Sequence, residues 1–487
     1  MIDGQLERVP TSPYLNADRA LAYALSISIL VFVIPVAFLM LTYHTSAALF
    51  LTGAIAAGVL VFFPRKCFYL LMLSLTVSLP YRAGPIAVHP FDLCMALLLG
   101  SVVLDYILNV HTELRPASFD VPFVLLITAT AISAVWAHDP YYSVLPLIRI
   151  VIMYLAFRMF FMFGLKIGVR RLLKVFIYAV TVLSLMNILI YLVNHGSIRV
   201  FGLAGVAYRT YAMVALPMAL AFLIWAQTSR GRLQYGIICF IVGFGLIATG
   251  SRAPLLGVIA AAGVMLVVLL AGREQVATAK AVRQVKKIFL PLSLLIILLI
   301  LFKGSIFAIT VERYQHLLTS LNEPQGSVAM RLVLGAAAIE AFWTSPLTGI
   351  GIGNFKIIEE IVPTVSLAKL WFRVQDMSAH NVILHYLAET GLLGVCSLIY
   401  LGWRGFRTSL ADARKRMTAE DNQVGFALLA AMVVFCTTIF FMEGWMWGQD
   451  GYILALVFGL AAAWHFKNKS TNPQTYKPEL CDPQKGG

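Results

Sequence analysis

The chain has 487 residues, 60% of them hydrophobic and only 12% charged, with a formal net charge of +14. That is too little polar surface for a soluble protein of this size, and repeated apolar runs of about 18–23 residues read as membrane-spanning helices. The Lys and Arg residues lie mostly in short loops between those runs, so membrane topology explains the positive charge and no nucleic-acid surface is implied.

The first 19 residues carry Asp3, Glu7, Arg8, Asp18 and Arg19 and no short apolar run with a cleavage site. The first span is therefore expected to serve as its own insertion signal. Spans are expected at 20–42, 46–63, 67–80, 91–110, 119–137, 142–163, 171–193, 208–227, 233–249, 253–271, 287–302, 381–402, 423–442 and 451–466. The third is short and ends at Pro80, so a re-entrant segment is an alternative there. The expected fold is all-α: a polytopic membrane helix bundle of 12–14 transmembrane helices with one large helical periplasmic loop. Residues 1–302 form N-terminal membrane helices, 303–380 the periplasmic loop, 381–466 C-terminal membrane helices and 467–487 a cytoplasmic tail, in one integrated membrane domain. The six cysteines show neither a CxxC nor a Cys/His ligand spacing, and no metal or other cofactor is expected.

Charge sets the orientation. With the N-terminus cytoplasmic, the inside loops and tails collect most of the basic residues, among them Arg65, Lys66, Lys166, Arg170, Arg171, Lys174, Arg230, Arg232, Lys286, Lys287, Arg414, Lys415 and Arg416. The outside segments hold Arg82, Arg199, Arg209, Arg252, Lys303, Arg313, Arg331, Lys356, Lys369 and Arg373, and most of these belong to one long loop, where the charge rule is weak. Both termini are therefore assigned to the cytoplasm and the 303–380 loop to the outer face. That loop carries as many acidic as basic residues. Ser327–Trp343 within it reads as a helix with Ser327 as a candidate N-cap, ending before Pro346, and its apolar character suits packing on the membrane domain or lying in the interface.

Several polar residues are costly where they stand. Arg149 and Arg158 fall inside one apolar span; for Arg149 a functional cavity and a structural ion pair are equally open, and snorkelling suits Arg158. Arg252 follows Thr249-Gly250-Ser251 at an outer junction of two spans, where snorkelling competes with a phosphate site made of a guanidinium and exposed backbone donors. Arg331 has apolar neighbours: it reads equally as a lone surface charge or, with its face packed on the membrane domain, as a residue needing an anionic partner, either Glu340 or a ligand. Gly349-Ile-Gly351-Ile-Gly353 lacks the strands that flank a dinucleotide loop and reads as a tight turn between two loop helices. His380 precedes a span at the outer surface, where a neutral imidazole can accept a proton from a hydroxyl or act as a helix-end hydrogen bonder. Asn381, His385 and Glu389 share one helical side and suit a structural polar network.

Ala379-His380-Asn381-Val-Ile-Leu-His385-Tyr-Leu-Ala-Glu389-Thr-Gly391-Leu-Leu-Gly394 closely resembles the signature of the O-antigen ligase/polymerase superfamily of bacterial membrane glycosyltransferases. Thr249-Gly-Ser-Arg252-Ala, and Arg331 followed by Ser345 to Phe355, fit the same family in the same order. The resemblance implies that His380 is the base on an acceptor sugar hydroxyl. It implies that Arg252 and Arg331 bind the diphosphate of an undecaprenyl-diphosphate-linked glycan, with Asn381, Glu389 and Arg149 as supporting residues. It further implies a metal-independent, inverting enzyme in the bacterial inner membrane with its active site on the periplasmic face. The partners are the lipid-linked donor, a sugar acceptor (the growing glycan or lipid A-core), the bilayer and other polysaccharide-assembly proteins. A transporter or flippase of a polysaccharide pathway is the rival reading, and a structural partner of an assembly complex is a third. A transporter predicts inverted repeats with paired broken helices.

Overall fold

The computed structural model describes residues 58, 60–76, 81–83, 86–109, 115–194, 202–271, 327–362, 378–415, 418–442 and 448–470. The spans expected at 20–42 and 287–302, most of that at 46–63, and the loop segments 303–326 and 363–377 lie outside the described residues. Elsewhere each expected span is occupied by a helix. In order these are α1 Pro64–Ser74, α2 Pro90–Asn109, α3 Asp120–Val135, α4 Pro140–Ile167, α5 Val169–Val193, α6 Tyr208–Ile224, α7 Ser229–Ala248 and α8 Ala253–Leu270. They continue with α9 Ser327–Thr344, α10 Ile358–Ile361, α11 Val382–Ala413, α12 Ala419–Thr438 and α13 Gly448–Ser470. Eight of the described helices are long and apolar enough to cross a membrane, so the protein is a multi-pass membrane protein of the all-α class. One feature was not anticipated. Strands β1 Tyr81–Ala83 and β2 Ile86–Val88 form a small antiparallel hairpin. Helix α1 has 11 residues, about 16 Å of rise, too short to cross a hydrocarbon layer of about 30 Å.

The chain divides into two compact units, residues 1–71 with 92–113, and residues 72–91 with 114–487. In the first, the Ser101 hydroxyl on α2 donates to the Val61 carbonyl at 2.5 Å. The second holds α3 to α13. Its centre is α6 and α12, whose residues are buried on nearly every side; a helix that is apolar all round belongs in such a position. α4 and α13 run parallel and close. A Cβ on Gly164 would lie 2.8 Å from that of Ala463, and Gly459 sits against Phe157 and Phe160. Small residues permit this approach where the surrounding lipid offers helices no hydrophobic drive to associate. Large apolar side chains such as Val121, Val135, Val182, Leu189, Ile259 and Val267 remain exposed on the outer helix faces, as a lipid-facing surface requires.

Inter-helix contacts sort the helix ends of this unit into two groups. At one end Asp412 of α11 meets His465 of α13 at 3.1 Å, Arg170 of α5 donates to Gln423 of α12 at 2.9 Å, and Gln423 donates to the Phe222 carbonyl of α6 at 3.3 Å. Lys166, Arg170, Arg171, Arg414, Lys415, Lys467 and Lys469 lie at this basic end. At the other end the Val382 N–H of α11 bonds the Ile439 carbonyl after α12 at 2.9 Å. Gly257 of α8 packs on Thr438, and Tyr208 of α6 donates to Ser184 of α5 at 2.7 Å.

Candidate functional site

The end away from the basic cluster carries Arg252, Arg331 and His380. Arg252 is the residue before α8 and is half-buried. Five residues on, Gly257 touches Thr438, and the next residue, Ile439, accepts the Val382 N–H two residues after His380. Arg252 and His380 therefore both stand just beyond the level at which α8, α11 and α12 meet. Arg331 reaches the same level by a different route. α9 runs parallel to α11: Gly335 faces Leu384, with its missing Cβ 3.5 Å from the leucine, and Pro346 faces Leu392 through a 2.9 Å backbone bond. One turn back along both helices stand Arg331 and His380. The face of α9 that packs on α11 is Leu334, Ala337, Ala338 and Ala341, in a core with Ile350, Phe355, Ile358, Ala379 and Ala388.

The packed helix does not bury Arg331 itself. Its side chain is exposed, so it needs no protein anion, and among the described residues it forms no ion pair with Glu340. Of the two readings open from sequence the surface charge holds, because Arg331 lies on the flank of the packed stripe rather than within it. Arg158 is not a simple snorkelling residue either. It bonds Asp120 at 2.7 Å and the Arg115 carbonyl at 2.9 Å. Arg149, half-buried in α4, forms no such ion pair among the described residues.

His380 is the one non-glycine among the described residues with a positive φ, 52°. Its backbone N–H lies 3.4 Å from the Ser378 hydroxyl, and its side chain is half-buried. A left-handed conformation at a side-chain-bearing residue costs on the order of 1 kcal/mol and persists where the surroundings fix it. Here Asn381 does part of the fixing: its Oδ1 caps α11 by accepting the Leu384 N–H at 3.1 Å.

Below His380, α11 is interrupted. Gly391 has φ 60° and ψ −158°, and the N–H groups of Leu392 and Leu393, which start the second half, are taken up by the carbonyls of Pro346 and Leu347 at 2.9 and 3.3 Å. The glycine segment 349–353 crosses this break. The Ile350 N–H bonds Ala388 O at 2.9 Å, and the Gly351 N–H bonds Glu389 O at 3.0 Å. Ser133 of α3 donates to Glu389 O at 2.6 Å and accepts from the Ile352 N–H at 2.9 Å. Buried Asn354 then clasps the α3–α4 turn: Oδ1 accepts the Asp139 N–H at 2.7 Å, and Nδ2 donates to Asp139 O and Ser143 Oγ, both at 3.1 Å. The segment is thus a backbone clamp joining α3, α4, α9 and α11, and no dinucleotide loop. Gly349 (φ 71°) passes so close to the Glu389 backbone that a Cβ would collide with it. Gly349→Ala is expected to destabilise the protein by at least about 2 kcal/mol, since the left-handed penalty adds to the overlap. Gly335→Ala, with only an ordinary contact to Leu384, should leave the detergent-solubilised melting temperature near wild type.

Glu389 is 1% exposed and its carboxylate serves this clamp. Oε1 accepts the Phe355 N–H at 3.0 Å, Oε2 lies 3.3 Å from His385 Nε2, and the His385 ring packs on Phe355 with centroids 4.9 Å apart. Glu389→Ala would strand the buried Phe355 N–H, a cost of about 1–3 kcal/mol. Glu389→Gln keeps an acceptor and should recover most of the lost thermal stability.

Arg209, the second residue of α6, stands at the same end as Arg252 and was not singled out from sequence. Its neighbour Tyr208 packs against Gly245 one turn before Thr249, and the Arg209 Nε is buried with no hydrogen-bond partner. The available signal was an outside arginine at the start of an apolar span.

No curated protein matches the sequence. Residues 237–399 match the family described as Wzy_C, O-Antigen ligase. The matched stretch runs from within α7 through α8, α9 and the clamp into α11, and so includes Arg252, Arg331 and His380. Over this stretch, about a third of the chain, the sequence is similar to that family.

Proposed function

We propose that the protein transfers a glycan from an undecaprenyl-diphosphate carrier to a sugar hydroxyl at the periplasmic face of the bacterial inner membrane, in O-antigen or exopolysaccharide polymerisation or ligation. The observation that carries this reading is the placement of His380, Arg252 and Arg331 at one end of the bundle, opposite the end where the basic residues of the short loops gather. By the charge rule that basic end is cytoplasmic, which leaves the three residues outside.

The acceptor hydroxyl oxygen attacks the anomeric carbon while the bond from that carbon to the carrier phosphate breaks, and the diphosphate leaves with the electron pair. His380 takes the hydroxyl proton as the new bond forms. Negative charge grows on the leaving diphosphate, and the guanidinium groups of Arg252 and Arg331 stabilise it without a metal. A single displacement inverts the anomeric configuration. The clamp holds α9 and α11 in register, and so holds Arg331 at the level of His380.

A broken helix also occurs in transporters, where it lines a substrate cavity. The break at Gly391 is instead filled by the carbonyls of Pro346 and Leu347, which favours the enzyme reading. Deleting the gene in its host and analysing carrier-linked and surface glycans tests the proposal. Full-length glycan accumulating on the carrier indicates a ligase, and single repeats indicate a polymerase. Unchanged surface and carrier-linked glycan would reject both.

A further inference from the structure

Helix α6 is enclosed on almost every side: of its 17 residues only Arg209 and Leu216 are not buried. Seven positions apart, the two share one face, with the leucine two turns below the arginine. α6 packs against α5, α7, α8 and α12, and this stripe is the side they leave open. Among the described residues nothing balances a cation at its top. Arg209 is the second residue of α6, at the positive end of the helix dipole, where a cation is disfavoured. It forms no hydrogen bond or ion pair among the described residues. A snorkelling arginine would carry its whole head group into water. Here the Nε is held in the protein, and only the terminal nitrogens of the guanidinium reach the surface. Arg209 is also set deeper than Arg252: the Tyr208 hydroxyl sits against Gly245 within α7, whereas Arg252 comes after the end of that helix.

An open stripe with a guanidinium at its top and a leucine beneath it suits a phosphate ester on a long hydrocarbon chain. We propose that Arg209 binds the phosphate that is esterified to the prenyl carrier, with the first isoprene units lying along the Leu216 face of α6. This rests on the glycosyl-transfer reading and divides the diphosphate between two arginines. Arg252, farther out, meets the phosphate from which the sugar departs, and Arg209 meets the one nearer the membrane. Charge grows on the outer phosphate as the glycosidic bond breaks, while the charge facing Arg209 changes little. Arg209 therefore holds donor and transition state about equally, so its loss is felt in KM rather than in kcat.

The test uses the full-length protein in detergent, with retention of undecaprenyl diphosphate and of inorganic pyrophosphate measured by native mass spectrometry. Steady-state transfer from the lipid-linked donor is measured beside it. Arg209→Gln should weaken retention of undecaprenyl diphosphate by about tenfold and raise KM for the donor to match, the scale for one hydrogen-bonded charge. Arg209→Lys, which keeps the charge and loses the fork, should recover part of the affinity. Leu216→Trp, which fills the stripe, should weaken retention of undecaprenyl diphosphate several-fold and leave that of pyrophosphate unchanged. An Arg209→Gln variant that transfers glycan with the wild-type KM overturns the proposal and leaves the glycosyl-transfer reading standing. So does one that loses kcat or melting temperature with KM unchanged, which would make Arg209 structural. Pyrophosphate retained as strongly as the lipid by wild type overturns the assignment of the stripe to the prenyl chain. A wild type that retains no undecaprenyl diphosphate overturns both readings together.

Discussion

Replacing His380 with asparagine is expected to slow glycan transfer by about 10²–10⁴-fold while leaving the amount of folded protein unchanged. The size is that of losing a positioned general base. Asparagine suits the experiment because of the backbone: at φ 52° most side chains add strain, whereas Asn is among the few residues that occupy the left-handed region readily. His380→Ala removes the same imidazole and adds a backbone cost on the order of 1 kcal/mol. If the imidazole is the base, the two variants should be equally inactive and differ only in melting temperature. The loss should fall on turnover and not on retention of the lipid-linked donor, because the proton moves only as the new bond forms. Asparagine-variant transfer at the wild-type rate in reconstituted vesicles would remove His380 from the mechanism.

The helices were legible because each is written locally, as an apolar run of membrane length bounded by charge or proline. α9 was legible for the same reason, from Ser327 to the stop before Pro346. The clamp was not. Its bonds join Ser133 to Glu389 and Asn354 to Asp139 across more than 200 residues, and no periodicity encodes such a pairing. Gly349, Gly351 and Gly353 showed only that the chain turns there; what they cross is a property of the packed structure. The same holds for Gly391, which in sequence is one more small residue in a long helix. Arg158 looked like a snorkelling residue because Asp120 is 38 positions away. Arg331 stayed open between a surface charge and a packed residue because sequence reports its neighbours' polarity and not the side of the helix it occupies. The polar residues of the site were visible one at a time; that Arg331 and His380 stand at one level follows only from the parallel packing of α9 on α11.

Arg252→Ala is expected to lower transfer by about 10²–10³-fold, the scale for removing one preorganised group from a developing anion. Arg331→Ala should cost less, about tenfold, because Arg331 is exposed and water screens its charge, whereas Arg252 is half-buried at the α7–α8 junction. Arg252→Lys keeps the charge but loses the planar fork that grips two phosphate oxygens, so it should recover only part of the loss. If both arginines act on one diphosphate, their effects should not add: once Arg252 is gone the donor is misplaced, and removing Arg331 as well should cost less than it does alone. The comparison needs four proteins, wild type, each single variant and the double, reconstituted with the same lipid-linked donor. Strictly additive losses would mean that the two residues serve separate steps. An Arg252→Ala variant that transfers glycan as fast as wild type would show that the charge on the leaving group is met elsewhere at this end of the bundle, with the buried Nε of Arg209 as the next candidate.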